Sequence, residues 1–265
     1  MTSVSGKSDP VVRPIKASDV AEALGQGLRD FQAAPFYGLM FGGFYAAGGI
    51  LIVSCLTVLG VSYLAYPLAA GFALLGPFVA IGLYEVSRRR EAGERPPSLR
   101  ELIGTIKSRS EIGWMAFVTL FIFIMWMYQV RLLMALFLGL NVSFSTLQQF
   151  LTTVLTTNQG LIFLIAGNLD GAVLSALLFS LTVVSFPLLL DREVDFVTAM
   201  ITSVRAVAAS PVPMLGWAAV VVVLMIVSAL PFFLGLLVTL PVLGHATWHL
   251  YRCIVAPAEG VAAVP

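Results

Sequence analysis

The chain is poor in charge. Only 11% of its 265 residues are Asp, Glu, Lys or Arg, against about 25% in an average soluble protein. A soluble fold with so few charges could not cover its own surface, so the deficit excludes a water-soluble enzyme or binding module. Cysteine and histidine are equally scarce, at two residues each. Cys55 and Cys253 form no CxxC pair, which excludes a disulfide scaffold and a zinc cage. Net charge is +1, from 15 basic and 14 acidic residues, so the chain is neither a strongly basic nucleic-acid binder nor the owner of an acidic tail. It has no phosphate-binding loop, dinucleotide fingerprint, nucleophile elbow or zincin helix. No catalytic residue, no enzyme activity and no cofactor are therefore expected.

What fills the chain is apolar. Hydrophobic residues make up 59% of it, and mean hydropathy is +0.96. Residues 1–34 are polar and lack the apolar core of a cleavable signal. Beyond them, six runs are long enough to cross a hydrocarbon core as helices: Phe36–Leu59, Leu64–Tyr84, Gly113–Val130, Gly171–Leu190, Val212–Leu230 and Phe232–Tyr251. Continuous rather than alternating apolarity makes them helices, not barrel strands. The last two adjoin, so their hairpin must be short. Of the 15 basic residues, all but Arg131 fall before span one, between spans two and three, between four and five, or after six. The positive-inside rule makes that side cytoplasmic, with both termini inside a bacterial inner membrane.

An internal repeat organises these spans. Asp19, Ala23, Arg29, Ala33 and Pro35 correspond to Asp195, Ala199, Arg205, Ala209 and Pro211 at a constant offset of 176. Val20, Leu24, Leu28 and Phe31 share their spacing with Phe196, Met200, Val204 and Val207, and steps of 4, 4 and 3 put each set on one helical face. The middle unit opens at Ser98-Leu-Arg-Glu101, a capping box after Pro96 and Pro97. The even spans carry Pro77, Pro187 and Pro241 in comparable places. The expected fold is an all-α integral membrane protein. Its six transmembrane helices form three parallel-repeated hairpins, each preceded by a cytoplasmic amphipathic helix. Residues 1–16 form a flexible cytoplasmic tail and 17–252 a single membrane domain (units 17–88, 98–191 and 195–252); 253–265 form a second tail. The middle unit carries an outer helical insertion at about 132–170. Within it, a helix from Phe144 to Leu155 is broken at Asn158-Gln159-Gly160, and the short apolar run Leu161–Ala166 lies in the outer interface or re-enters the membrane.

Few residues are candidates for chemistry. His245 and His249 are spaced i, i+4 and could grip one metal ion. Repeat alignment places Glu85 and Asp191 opposite them as partners. The plainer reading is that histidines in a last helical turn bond loose carbonyls, beside Trp248 and Tyr251 at the headgroup belt. Arg131 and Asp170, the outer basic and acidic residues, form an expected ion pair between spans three and four. Arg88, Arg89, Arg90, Arg95 and Arg100 serve as a topology signal or bind anionic headgroups. Gly38-x-x-x-Gly42 permits close helix packing. Asn141-Val-Ser143 matches a glycosylation sequon but carries little weight.

The stretch Ser185-Phe-Pro-Leu-Leu-Leu-Asp-Arg-Glu-Val-Asp-Phe-Val-Thr-Ala-Met200, with Ser210-Pro-Val-Pro-Met-Leu-Gly-Trp217 and Leu240-Pro-Val-Leu-Gly-His-Ala-Thr-Trp-His-Leu-Tyr-Arg252, resembles a known group. It is the bacterial integral membrane family catalogued as domain of unknown function 2189. The resemblance covers most of the chain from the first amphipathic helix to Arg252. It implies a membrane location and brings no established activity or catalytic residues. Some members are labelled cytochrome c oxidase subunits. A haem–copper catalytic subunit needs several membrane-buried histidines, and two cannot suffice, so the label leaves an accessory or assembly role. Two functional classes follow. The first is a non-enzymatic scaffold, accessory or assembly factor of a membrane complex, a respiratory one being the case the label suggests, or a lipid-interacting protein. The second is a transporter or channel for a small or lipid-like solute, against which the lack of mid-membrane charge counts if transport is ion-coupled. A haem- or metal-binding redox subunit is a distant third. Membrane lipids are the expected partners, and nucleic acid is not.

Overall fold

The computed structural model describes residues 9–57, 76–140 and 147–257. Among these residues the regular structure is eleven α-helices and one isolated antiparallel bridge, Val12 to Val255. In chain order the helices are α1 (Ala17–Ala33), α2 (Pro35–Thr57), α3 (Gly76–Glu91), α4 (Leu99–Ser108), α5 (Ser110–Phe137), α6 (Leu147–Thr156), α7 (Asn158–Thr182), α8 (Ser185–Asp191), α9 (Phe196–Ala209), α10 (Pro211–Ala229) and α11 (Leu236–Ile254). The chain divides into two compact units: Met1–Ala116 with Leu181–Pro265, and Phe117–Ser180.

Four helical segments are long and apolar enough to cross a membrane: Pro35–Ser54, Ser110–Phe137, Asn158–Asp191 and Pro211–Ala229. They coincide with the first, third, fourth and fifth expected spans. Most of the second, Leu64–Tyr84, lies outside the described residues. The sixth is realised as α11, but it is not among the four.

Helix α11 is the hub of the first unit and packs against α1, α2, α3, α8 and α10. Small residues allow that. A Cβ on Gly42 would sit 2.7 Å from the Leu236 carbonyl oxygen, and one on Gly27 would sit 2.6 Å from both Ala246 N and Val242 O. No larger side chain fits backbone-to-backbone contact of this kind, so the Gly38-x-x-x-Gly42 pattern serves the α2–α11 crossing. The α10–α11 hairpin is as short as expected, and its turn is closed by Phe232 (φ 52°) and Phe233 (φ 63°), both left-handed. Bulky residues rarely accept that conformation.

The two helices aligned by the repeat share their geometry. Helices α1 and α9 each end at a single non-helical residue before a proline, Ala34 (φ −132°, ψ 54°) and Ser210 (φ −142°, ψ 62°). Their buried faces correspond as well: Ala23, Gly27 and Asp30 in α1, and Ala199, Ser203 and Ala206 in α9. This stripe of small residues is not the apolar stripe read from the sequence. Leu28 and Val204 of that stripe are exposed. The reason is steric, because only small side chains let these helices lie close to their neighbours. The Ser98 capping box forms reciprocally: Ser98 N–H donates to Glu101 Oε2 at 2.8 Å and Glu101 N–H donates to Ser98 Oγ at 3.3 Å.

Two further expectations are revised. Residues 9–16 are tied down rather than a free tail. Arg13 N–H donates to the Ile254 carbonyl at 2.7 Å, Ala256 N–H to Val11 O at 2.9 Å, and Ile15 N–H to Ser210 Oγ at 2.9 Å. In the second unit the expected break is present, since α6 ends at Thr156, but Asn158 and Gln159 immediately begin the next helix. The run Leu161–Ala166 is the first part of α7, which continues to Thr182, so it is neither a separate interfacial piece nor a re-entrant tip. Thr157 Oγ1 accepts the Gly160 N–H at 3.0 Å and so takes up one of the free donors of that helix start. Residues 144–146, the sequon Asn141–Ser143 and residues 258–265 lie outside the described residues.

Candidate functional site

The polar residues of the first unit gather where α1, α3, α8 and α11 meet. Each helix brings its contribution at a turn set by the packing just described. Helix α1 supplies Asp30, the last member of its small-residue stripe. Helix α3 supplies Glu85, Ser87 and the arginines that follow. Helix α11 supplies His245 and, one turn on, His249.

Asp30 is the centre of one network. Its Oδ2 accepts from Ser87 Oγ at 2.7 Å and from His249 Nε2 at 2.7 Å, and its Oδ1 faces Arg90 Nε at 3.3 Å. Burial works against the charge on Asp30. The hydrogen bonds from His249 and Ser87 and the fields of both histidines outweigh it, holding the carboxyl below its ordinary pKa. Ser87 Oγ also lies 2.7 Å from His245 Nδ1. Because the single hydroxyl proton of Ser87 goes to Asp30, Nδ1 of His245 must carry the proton shared with Ser87. The ring is fully buried, and although the Leu83 carbonyl neighbours it, Nε2 completes no hydrogen bond.

Glu85 is the centre of a second network. Its carboxylate is fully buried, gripped by Arg88 through two bonds of 2.8 Å and by Arg89 Nε at 2.8 Å. Arg89 continues to Glu101 at 3.1 Å, which also pairs with Arg95. The Ser98 N–H and Arg95 push the Glu101 pKa down to about 2. A third network runs along the end of α11. Glu91 accepts from Trp248 Nε1 and Arg252 Nε, both at 3.0 Å, while Asp191 accepts from Tyr251 Oη at 2.6 Å and faces Arg252 at 3.6 Å.

The sequence-derived site is thus rearranged. His245 and His249 do share a face, but their partners are Ser87 and Asp30, not Glu85 and Asp191. Among the described residues no group of three or more His, Cys, Asp or Glu side chains could hold a metal ion. The Asp30–Ser87–His245 order also differs from a nucleophilic triad, in which the histidine stands between serine and acid. Of the arginines read as a topology signal or as headgroup binders, Arg88, Arg89, Arg90 and Arg95 each pair with an acid. Asp30, Ser87 and Glu91 were missed. The available signal was the acid at the end of the stripe Ala23, Gly27, Asp30, whose steps of 4 and 3 put a carboxylate on a close-packing face.

A pocket of about 460 Å³ opens beside this region, lined in part by Ser108, Arg109, Glu111, Arg192 and Asp195. Two of its charged groups, Arg109 and Glu111, are already engaged. Arg109 donates to the carbonyls of Leu189 (3.3 Å) and Arg192 (3.1 Å), and Glu111 accepts the Phe196 N–H at 2.9 Å. In the second unit Arg131 is exposed and the expected pair with Asp170 is not formed among the described residues, since Asp170 Oδ2 is buried without a hydrogen-bond partner.

Four helical segments of spanning length and apolar composition define an all-helical integral membrane protein. In accord with that class, residues 65–191 match the model of the family described as predicted integral membrane protein, DUF2189. The match takes in the Ser185–Asp191 part of the resemblance, while the motifs at 210–217 and 240–252 lie beyond it. Comparison with curated proteins and with solved structures gives no match.

Proposed function

We propose that this protein is a non-catalytic scaffold or accessory subunit of a bacterial inner-membrane complex. It spans the bilayer six times as three repeated hairpins, with both termini in the cytoplasm. One observation carries the reading: the ionisable side chains at the charged end are used to fasten helices to one another. Asp30 joins α1 to α3 and α11, Glu91 joins α3 to α11, and Asp191 joins α8 to α11. A catalytic or coupling site keeps a titratable group free for substrate, whereas these groups are paired with one another, Asp30 in a buried position and Asp191 and Glu91 in more open ones. The matching break geometry at Ala34 and Ser210, and the matching buried stripes, support the repeat. Crowding of the arginine pairs at one end supports the orientation.

The test is purification in mild detergent from native membranes. Stoichiometric membrane-protein partners that survive size exclusion are expected, and respiratory subunits among them would specify an oxidase accessory. A protein that runs alone overturns the scaffold reading, and solute or lipid flux in liposomes becomes the assay to run.

A further inference from the structure

Helix α9 is built inside out. Its buried face is small and partly polar: Ala199, Thr202, Ser203 and Ala206. Its exposed face is apolar, because Val197, Ile201 and Val204 are each more than two-fifths exposed. Their steps of 4 and 3 form one stripe, continued by Ala208. In water such a helix would present its hydrophobic side to the wrong solvent.

Its surroundings identify what covers that stripe. Helix α9 is separated by Ser210 alone from α10, a spanning helix whose exposed positions Val212, Leu215, Val222 and Val223 are also apolar. At the other end, the Phe196 ring stacks on Trp114 at a centroid distance of 6.1 Å. Trp114 is exposed, one turn into the spanning helix α5, where indoles mark the membrane–water interface. Glu111, which accepts the Phe196 N–H, sets the water-side limit at the same level. Both ends of α9 are thereby fixed at the boundary between headgroups and chains.

From this geometry we infer that the Val197–Ile201–Val204 stripe of α9 is seated on the lipid bilayer, as a surface-lying segment of the first unit. The occupant is acyl-chain and glycerol-level lipid. Arg205 is the only cation on the helix and already faces Asp9 at 3.7 Å, so attachment is driven by apolar area rather than by anionic headgroups. Helix α1 differs: Glu22, Arg29 and Gln32 share its exposed surface with the single large apolar residue Leu28. The inference rests on the membrane-spanning reading above.

The test uses the full chain with Cys55 and Cys253 replaced by serine, labelled with a nitroxide at Ile201→Cys, Val223→Cys or Glu22→Cys and reconstituted in phosphatidylcholine vesicles. The expected result is an Ile201 label that collides preferentially with oxygen, at a depth of about 5–10 Å below the phosphates. That depth should not change when phosphatidylglycerol is added, while the Glu22 label collides with an aqueous nickel chelate. An Ile201 label open to the nickel chelate overturns the inference, and so does one shielded from both reagents, which would mean a protein covers the stripe. A Val223 label in water would overturn the membrane reading itself, which keeps the two failures distinct.

Discussion

Removal of the Asp30 carboxylate should loosen the whole charged end. In Asp30→Ala, Ser87 and His249 each lose an acceptor at 2.7 Å and Arg90 loses its partner at 3.3 Å. The Asp30 side chain is 8% exposed and that of His249 14%, so water cannot fully replace what is lost. Breaking a buried ion pair from one side costs about 3–5 kcal/mol. For a chain of this size, about 2–4 °C of melting temperature goes with each kcal/mol, so a fall of about 6–20 °C is expected. The assay is thermal unfolding in detergent, followed by tryptophan fluorescence. Asp30→Asn keeps the shape and part of the hydrogen bonding, and should lose less. In a double-mutant cycle, Asp30→Ala with His249→Ala should fall short of additivity by roughly 1 kcal/mol or more, since the two groups touch. A melting temperature within about 2 °C of the parent for Asp30→Ala, or strict additivity with His249→Ala, would refute the idea that this network holds the helices together.

Other outcomes follow from the same contacts. Gly27→Leu would drive its side chain into the backbone of α11 at Val242 and Ala246, and should destabilise the fold more than Gly104→Leu, where nothing lies within 4 Å; the two melting temperatures decide it. Glu91→Gln should shift the tryptophan emission maximum, because Trp248 loses a charged acceptor at 3.0 Å; an unchanged spectrum would exclude that bond. Asp30, Asp195 and Glu101 all have pKa values below their ordinary ones. Acids shifted this way stabilise the fold above their unfolded pKa, and that stability is lost as pH falls through the folded value. For Glu101 the window runs from the ordinary 4.5 down to about 2, so melting temperature should be flat near neutrality and drop below about pH 4, less steeply in Glu101→Gln.

Much of this architecture is legible in the sequence because the bilayer demands long apolar runs with charge at their ends. Four of the six span positions, the Ser98 cap and the tight α10–α11 turn follow from local chemistry. The contact faces of α1 and α9 do not. Hydrophobic periodicity points to Leu28 and Val204, whereas packing selects Ala23, Gly27 and their counterparts, because in these helices close approach outweighs burial of large side chains. The histidine site was half legible. The i, i+4 spacing gives the shared face of His245 and His249, but the partner of His249, Asp30, is 219 residues away in the chain, and only tertiary packing selects it over Glu85. The partners of the arginine run were not legible, since Glu85 is on its own helix but Asp30 reaches Arg90 only through tertiary packing. Asn158-Gln159-Gly160 reads as a break, and the chain does turn there at Thr157, but α7 starts at once at Asn158 and absorbs the apolar run after it.

The central claim is that the buried histidine–carboxylate network is a fastening and not a cofactor site. Its most direct test is the visible absorption spectrum and metal content of the protein purified from native membranes, repeated for His245→Ala and His249→Ala. The account predicts no haem band and no stoichiometric metal in any sample, with lowered melting temperatures in both variants. A haem band or a stoichiometric metal that disappears with either histidine would contradict it.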